Sequence, residues 1–372
     1  MIQKISAVIV GAVFLLVLTG WPAATRVAAA ENETGRGQGQ MRALMYHHFG
    51  LEDKYPSTSV SRDQFAKHLA YLKKHNHTVL TLGAALELLS SEKPLPEKTT
   101  VITIDDGYAS IWENALPLLE KYGYPATVFV STKLVGGGSY LDWEQIKALQ
   151  DKGFEIGNHS HSHAYFLNRP AGERAASFEA DLRKSHEKFR RHLDGVPELY
   201  AYPFGEYDPS LMAVLKEHGY KAAAAQRSGV IYGGSNRFAL PRFPMNLNYG
   251  EMEGFAEKMG MNALGVVEAA PESPVVGHQN PPTLVLRVDN SELNPEGLRC
   301  FVAGQENGHL EKRSRNGLIS VQARAREKLT SRRTLYTVTA PSKDGSKWFW
   351  YSYLWVIPAE SSPEYFPEED PE

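Results

Sequence analysis

The chain has 372 residues, 42% of them hydrophobic and 22% charged, with a formal net charge of -3. That is ample apolar material for two folded domains, and it excludes a disordered or fibrous polymer. With no basic surplus, a nucleic-acid partner has no electrostatic support.

Lys4 precedes an apolar run from Ile5 to Leu18, and Ala28-Ala29-Ala30 stands before Glu31. This is the layout of a secretory signal with a small-residue cleavage site, so residues 1–30 are expected to direct export to the periplasm or beyond. The run is shorter than the roughly 20 residues a spanning helix needs, so no stable membrane insertion is expected after cleavage. No cysteine is available there for a lipid anchor. The lone Cys300 cannot form an internal disulfide and reads as a buried apolar side chain. Residues 31–41 are polar and glycine-rich, which suits a flexible leader.

From 42 to about 265 short β-type runs alternate with amphipathic helical stretches, the pattern of parallel β/α units. The strand candidates are 43–49, 78–82, 100–105, 126–131, 155–158, 199–202, 222–226 and 239–243, and their number predicts a (β/α) barrel. Ser61 with Gln64 resembles a capping box, and Asp208-Pro209 places a cap before a first-turn proline. Gly123, Gly153 and Gly219 each close a helical stretch. In such a barrel the loops after the strands share one mouth.

Around residue 270 the texture changes to proline-rich connection and then to alternating runs at 283–288, 298–303, 319–325, 335–340 and 348–357. These predict a small all-β, sandwich-like domain over 275–358. The acidic, proline-punctuated stretch 359–372 is expected to remain disordered.

The chemistry concentrates after the strands. Asp105-Asp106 ends an apolar run, and His159 and His163 follow another some fifty residues later. An Asp pair at a strand end is by itself an ordinary turn or cap, and an HxxxH an ordinary helix face. Two adjacent acids closing a buried strand, however, call for a nearby cation. A carboxylate and two imidazoles form the ligand set of an open hydrolytic metal site, with the second carboxylate placed to act as base.

Thr-Ile-Asp105-Asp106-Gly107-Tyr108, His159-Ser160-x-x-His163 and Ala201-Tyr202-Pro203-Phe204-Gly205 together resemble the polysaccharide deacetylases of carbohydrate esterase family 4, the NodB homology domain, over residues 41–250. The resemblance implies a distorted β/α barrel and a divalent ion, usually zinc, with cobalt, nickel or iron as alternatives. It also implies removal of acetyl from an N-acetylated sugar. It assigns Asp106, His159 and His163 to the metal, Asp105 to the base, and a backbone N–H near Phe204 to the oxyanion.

Two departures from the family pattern stand out. No Leu-x-His occurs late in the barrel to supply the acid. Tyr46-His47-His48 at the first strand's end is similar to the arrangement in the poly-N-acetylglucosamine branch, making His47 the acid candidate and His48 its reserve. The third motif also lacks its arginine, and Arg242 is the candidate replacement. Tyr202, Phe204, Gly205, Tyr108 and Trp143 are candidate substrate or oxyanion contacts, with Tyr165 and Tyr207 beside them, although Asp142 reads more simply as the N-cap of the helix from Trp143. His161 has no assigned role.

The expected partner is therefore an N-acetylglucosamine-containing polysaccharide, an exopolysaccharide in preference to peptidoglycan or chitin oligomers. A small-amide hydrolase and a catalytically inactive glycan-binding protein are the competing readings.

Overall fold

The computed structural model describes residues 39–359 apart from 92 and 316; the expected export signal at 1–30, most of the expected leader at 31–41 and all but the first residue of the expected tail at 359–372 lie outside the described residues. Seven parallel strands carry the first part: β1 (Gln40–Tyr46), β2 (Thr78–Leu80), β3 (Thr99–Ile104), β4 (Thr127–Val130), β5 (Glu155–Asn158), β6 (Leu199–Ala201) and β7 (Ala222–Ala224). Every residue of β3 is buried, as expected of a strand covered on both faces.

The sheet order is β1, β3, β4, β5, β6, β7, with β2 beside the first half of β3. The last candidate strand is shorter than expected. Leu240 makes one bridge to Ala224, and β8 (Phe243–Pro244) pairs with Leu44 and Met45 of β1, linking the sheet's two ends. The result is a curled, distorted barrel. Folding also starts earlier than expected, at Gln40, because Gln40 and Met41 pair with Tyr232 and Ile231 and the Gln40 amide holds Asn262.

Among the described residues seven α-helices surround the sheet: α1 (Arg62–Lys74), α2 (Leu82–Ser90), α3 (Leu116–Tyr122), α4 (Trp143–Asp151), α5 (Arg174–His192), α6 (Pro209–Glu217) and α7 (Met252–Gly260). Helix α1 turns Phe65, Leu69 and Leu72 inward at helical spacing. Only half of its expected capping box forms: Ser61 accepts from the Gln64 amide, while the Gln64 side chain donates to the Gly250 carbonyl. The complete box is at α4, between Asp142 and Gln145. Among the described residues no helix is long and apolar enough to cross a membrane.

The C-terminal part builds two four-stranded sheets from β9 (Asn262–Ala263), β10 (Val266–Ala270), β11 (Thr283–Asp289), β12 (Arg299–Val302), β13 (His309–Arg315), β14 (Leu318–Arg324), β15 (Arg333–Pro341) and β16 (Trp348–Val356). One runs β9-β16-β15-β12 and the other β10-β11-β14-β13. Leu284, Leu286, Ile319 and Val321 from one sheet share a core with Cys300, Tyr336, Val338 and Trp355 from the other. Burial pushes the Cys300 thiol up to about 12, leaving it an inert apolar side chain.

Strand β16 explains the aromatic run Trp348 to Trp355. With side chains alternating across the sheet, Phe349, Tyr353 and Trp355 enter the sandwich core. Leu354 and Val356 enter a second core with Tyr202 and Tyr207 of the barrel, and Trp350 meets Phe243 edge-on. One strand thus seals both cores, which is why it reads as continuously apolar.

Candidate metal centre

Strand β3 delivers its two acids to different partners. The Asp105 amide still pairs with the Tyr46 carbonyl, but Asp106 has φ 72° and Gly107 φ 80°, so the chain turns abruptly and the carboxylates diverge. Asp105 is fully buried, and both of its oxygens are held by Arg242, Nη1 to Oδ1 at 2.7 Å and Nη2 to Oδ2 at 2.8 Å. Arg242 also donates to Thr103 Oγ1 and the Ala225 carbonyl. Burial alone would raise the Asp105 carboxyl, but the guanidinium and the His159 imidazole outweigh it and keep it below the usual range.

Asp106 faces the histidines. Its Oδ1 lies 3.1 Å from His159 Nε2 and 3.2 Å from His163 Nε2, and the three residues offer ligand atoms all within 4.8 Å of one another. Burial would raise Asp106 too, yet the imidazoles hold it well below the carboxylate range. Burial lowers His163, whereas at His159 it is outweighed by Asp106 and Asp105 and the pKa rises.

Asp106 Oδ1 and His159 Nε2 are buried without a hydrogen-bond partner, a costly state for polar atoms that a shared cation relieves. His159 Nδ1 donates to the Ala201 carbonyl at 2.8 Å, which turns the Nε2 lone pair toward Asp106, as outer-shell partners of metal-binding histidines do. The donor set therefore fits a divalent ion such as zinc.

The histidines do not converge through a helix, as HxxxH spacing suggests. Residues 159–165 form an irregular turn after β5, with φ 72° at Ser160 and 53° at His163. Asn158 Oδ1 accepts from the Ser160 amide, Ser160 Oγ from the His163 amide, and both oxygens of Asp181 on α5 from the His161 and Ser162 amides. His161 turns aside to Thr132 Oγ1. Of the five non-glycine residues with positive φ among those described, Asp106, Ser160, His163 and Phe204 lie in the motif loops, a concentration typical of functional sites.

The two candidate acids separate clearly. His47 Nε2 lies 4.0 Å from Asp105 Oδ2 and keeps partial exposure at the mouth. His48 bonds Thr58 Oγ1 and is sandwiched between Tyr55 and Tyr108 at ring distances of 4.3 and 3.6 Å. Tyr108 stacks in turn on Tyr140. Phe204 presents its edge to His163 at 4.6 Å and stacks on Tyr165 at 3.7 Å, so these two rings form one wall of the site.

Other expected substrate contacts go elsewhere. Tyr202 is fully buried with its hydroxyl on the Phe238 carbonyl, and Tyr207 is buried beside it, because both face the core shared with β16. Trp143 packs against Phe189 and His192 of α5, outside the cluster around Asp106. Gly205 contributes backbone only: φ is 70°, and a side chain would strike Gln226. Sequence reasoning missed Asp181, Thr103, Glu206, Arg332 and Arg333, whose partners are distant in the chain.

Residues 92–223 match the polysaccharide deacetylase family. The chain is 29% identical over 199 residues to the polysaccharide-deacetylase-type protein YxkH of Bacillus subtilis strain 168, covering 54% of this chain and 69% of that protein. It is 28% identical over 204 residues to the poly-beta-1,6-N-acetyl-D-glucosamine N-deacetylase of Staphylococcus aureus strain MRSA252, covering 52% and 70%. Among solved structures, IcaB from Ammonifex degensii superposes with a TM-score of 0.52 at 26% identity, over 59% of this chain and 97% of that one. The acetate complex of Streptococcus pyogenes deacetylase PplD, at 22% identity and a TM-score of 0.53 over 59% and 98%, shares the fold. With the curled parallel sheet and its Asp–His–His mouth, these matches identify the barrel as a polysaccharide deacetylase domain of the carbohydrate esterase family 4 type.

Proposed function

We propose that the chain is an exported, metal-dependent hydrolase that removes N-acetyl groups from an N-acetylglucosamine-containing polysaccharide, an exopolysaccharide in preference to chitin oligomers or peptidoglycan. The observation carrying this reading is the Asp106–His159–His163 cluster, with its unpartnered buried Asp106 Oδ1 and His159 Nε2, directly beside an Asp105 locked by Arg242. The N-deacetylase relative supports the bond class, and the polymer named for that relative supports the choice of glycan. Export rests on residues 1–30. The assignment of 42–265 to the catalytic barrel and 275–358 to the accessory β-sandwich belongs to the same proposal, with β9 and β10 counted in the sandwich.

Asp106, His159 and His163 would hold the ion, zinc by donor chemistry. When bound, a divalent cation supplies Lewis acidity, lowering the pKa of water and polarising an acyl oxygen. Asp105 takes the proton of the attacking water, and the Arg242 fork fixes its orientation and keeps it ionised. His47, at the same mouth, donates to the departing amine, which leaves poorly without a proton. The Phe204–Tyr165 wall excludes water from one side and offers a face to a sugar ring.

The test is acetate release from purified poly-β-1,6-N-acetylglucosamine, chitin oligomers and peptidoglycan, with and without chelator and with zinc restored. Release that is abolished by chelator and recovered with zinc supports the proposal. Release from none of the glycans by zinc-loaded protein refutes it.

A further inference from the structure

We infer that the C-terminal β-sandwich forms part of the catalytic mouth, with Arg332 and Arg333 acting as positioning residues that clamp the Phe204 wall. This rests on the assignment of that mouth as the catalytic site. Arg332 Nε and Nη2 donate to the two carboxylate oxygens of Glu206, each at 2.7 Å, and its Nη1 donates to Asn168 Oδ1 at 2.7 Å. Its guanidinium lies 4.1 Å from the centre of the Tyr165 ring. Tyr165 stacks on Phe204, and Phe204 meets His163. Arg333, the first residue of β15, donates to the Phe204 carbonyl at 3.1 Å and sits over its ring. A continuous line of contacts therefore runs from the sandwich to a metal-site histidine.

The location of these contacts distinguishes a clamp from ordinary domain glue. Phe204 has φ 58°, a conformation an L residue keeps only when its surroundings over-determine it. Both arginines land on this strained loop, Arg333 on Phe204 itself and Arg332 on Glu206 two residues later. The Arg332–Glu206 contact is bidentate, a geometry that fixes orientation as well as distance. Glu206 is only 4% exposed, so the partner brought by the sandwich is what makes its carboxylate tolerable there.

A second contact reaches the segment that carries Arg242. Arg227 donates through Nη1 to the Ser352 carbonyl of β16 and through Nε and Nη2 to the Ala239 carbonyl, while its own carbonyl accepts from the Arg242 amide. The sandwich thus supports both the Phe204 loop and the segment that carries Arg242.

The experiment compares the full-length zinc-loaded protein with Arg332→Ala, Glu206→Gln and the charge-reversed double variant Arg332→Glu with Glu206→Arg. Zinc content, kcat and KM for acetate release, and hydrogen exchange at the Gly205 and Glu206 amides are read for each. Both amides are bonded within the loop, to the Tyr202 and Pro203 carbonyls.

Arg332→Ala should keep its zinc, lower kcat by about 10-fold to 100-fold through misplacement of the wall, and speed exchange in the loop but not in β3. The charge-reversed pair should recover part of both. Loop exchange and kcat indistinguishable from wild type in a folded Arg332→Ala protein would overturn the clamp. If that variant shows no cooperative melting, Arg332→Lys, which keeps the charge and loses the fork, decides by the same readings. Wild-type protein that releases no acetate while its loop exchange still responds to Arg332→Ala refutes the catalytic assignment and leaves the clamp standing.

Discussion

Arg242 grips both carboxylate oxygens of Asp105, 137 residues earlier in the chain, and neither side chain is exposed at all. The pairing has opposite consequences for stability and activity. Arg242→Met leaves a buried carboxylate unpaired and is expected to cost about 3–5 kcal/mol of stability, read by urea unfolding. Adding Asp105→Asn to it should restore most of that loss. Asp105→Asn by itself should retain zinc yet lower turnover by about 10²–10⁴-fold, the usual worth of a positioned base. Full acetate release by Asp105→Asn would end its assignment as base.

Metal retention should divide the two adjacent acids. Asp106→Ala and His159→Ala each remove a ligand from a three-residue set, so both variants should emerge from dialysis without zinc. Elemental analysis of purified protein checks this. If either variant holds zinc as wild type does, the ion lies elsewhere.

The role of His47 is best read by changing the leaving group. An amine needs protonation, whereas an aryl oxide departs unaided, so His47→Ala should depress amide cleavage by about 10²-fold or more and aryl acetate cleavage far less. Equal losses on both substrates would speak against an acid at this position. His48→Ala should act mainly on packing, since His48 is stacked between Tyr55 and Tyr108.

What was readable in the sequence follows from where each signal resides. The barrel strands were readable because they are short β-type runs between amphipathic helical stretches, and Asp105 and Asp106 because they close the buried run of β3. His159 and His163 converge through a turn and not a helix: helical spacing and the actual turn both bring them together, and only Ser160 Oγ, Asn158 and Asp181 decide between them. Tyr202 and Trp143 look like binding aromatics, since a sequence does not show which core a ring will enter. Strand β13, His-Leu-Glu-Lys-Arg-Ser-Arg, was invisible for a different reason. It pairs only with β14, so as a sheet edge it carries charge where an interior strand carries apolar alternation. Arg332 and Glu206 had no signal at all, their pairing being set by the docking of two domains.

Gly205 offers a test of the loop that the third motif encodes. Its φ of 70° is left-handed, and an added Cβ would meet the backbone nitrogen of Gln226. Gly205→Ala should therefore cost about 1–3 kcal/mol of stability, with activity falling more steeply because Phe204 is displaced. Gly123→Ala has open space at its Cβ and bears only the left-handed strain of a helix end, so it should leave activity unchanged. Similar activity losses in the two variants would detach the Phe204 loop from catalysis.

Acid sensitivity should come from histidines away from the metal centre. His68 is fully buried, stacks on Phe255 and has both ring nitrogens engaged, Nε2 donating to the Gly250 carbonyl and Nδ1 facing the Tyr46 hydroxyl. Burial, with a smaller contribution from Lys258, lowers its pKa from 6.5 to about 4. Above pH 6.5 the ring is neutral folded or unfolded and titration has no effect on stability. As pH falls from 6.5 toward 4, only the unfolded chain takes up the proton, so stability is progressively lost across that window and levels off below it. At 1.36 kcal/mol per unit the depression corresponds to roughly 3 kcal/mol. His77 and His186, also lowered to about 4 chiefly by burial, act in the same direction over the same window. Unfolding free energies at pH 7 and pH 4.5 should converge for His68→Gln relative to wild type, even if the variant is weaker at neutral pH. Identical acid losses in the two proteins would mean that the proton uptake destabilising the fold occurs at another group.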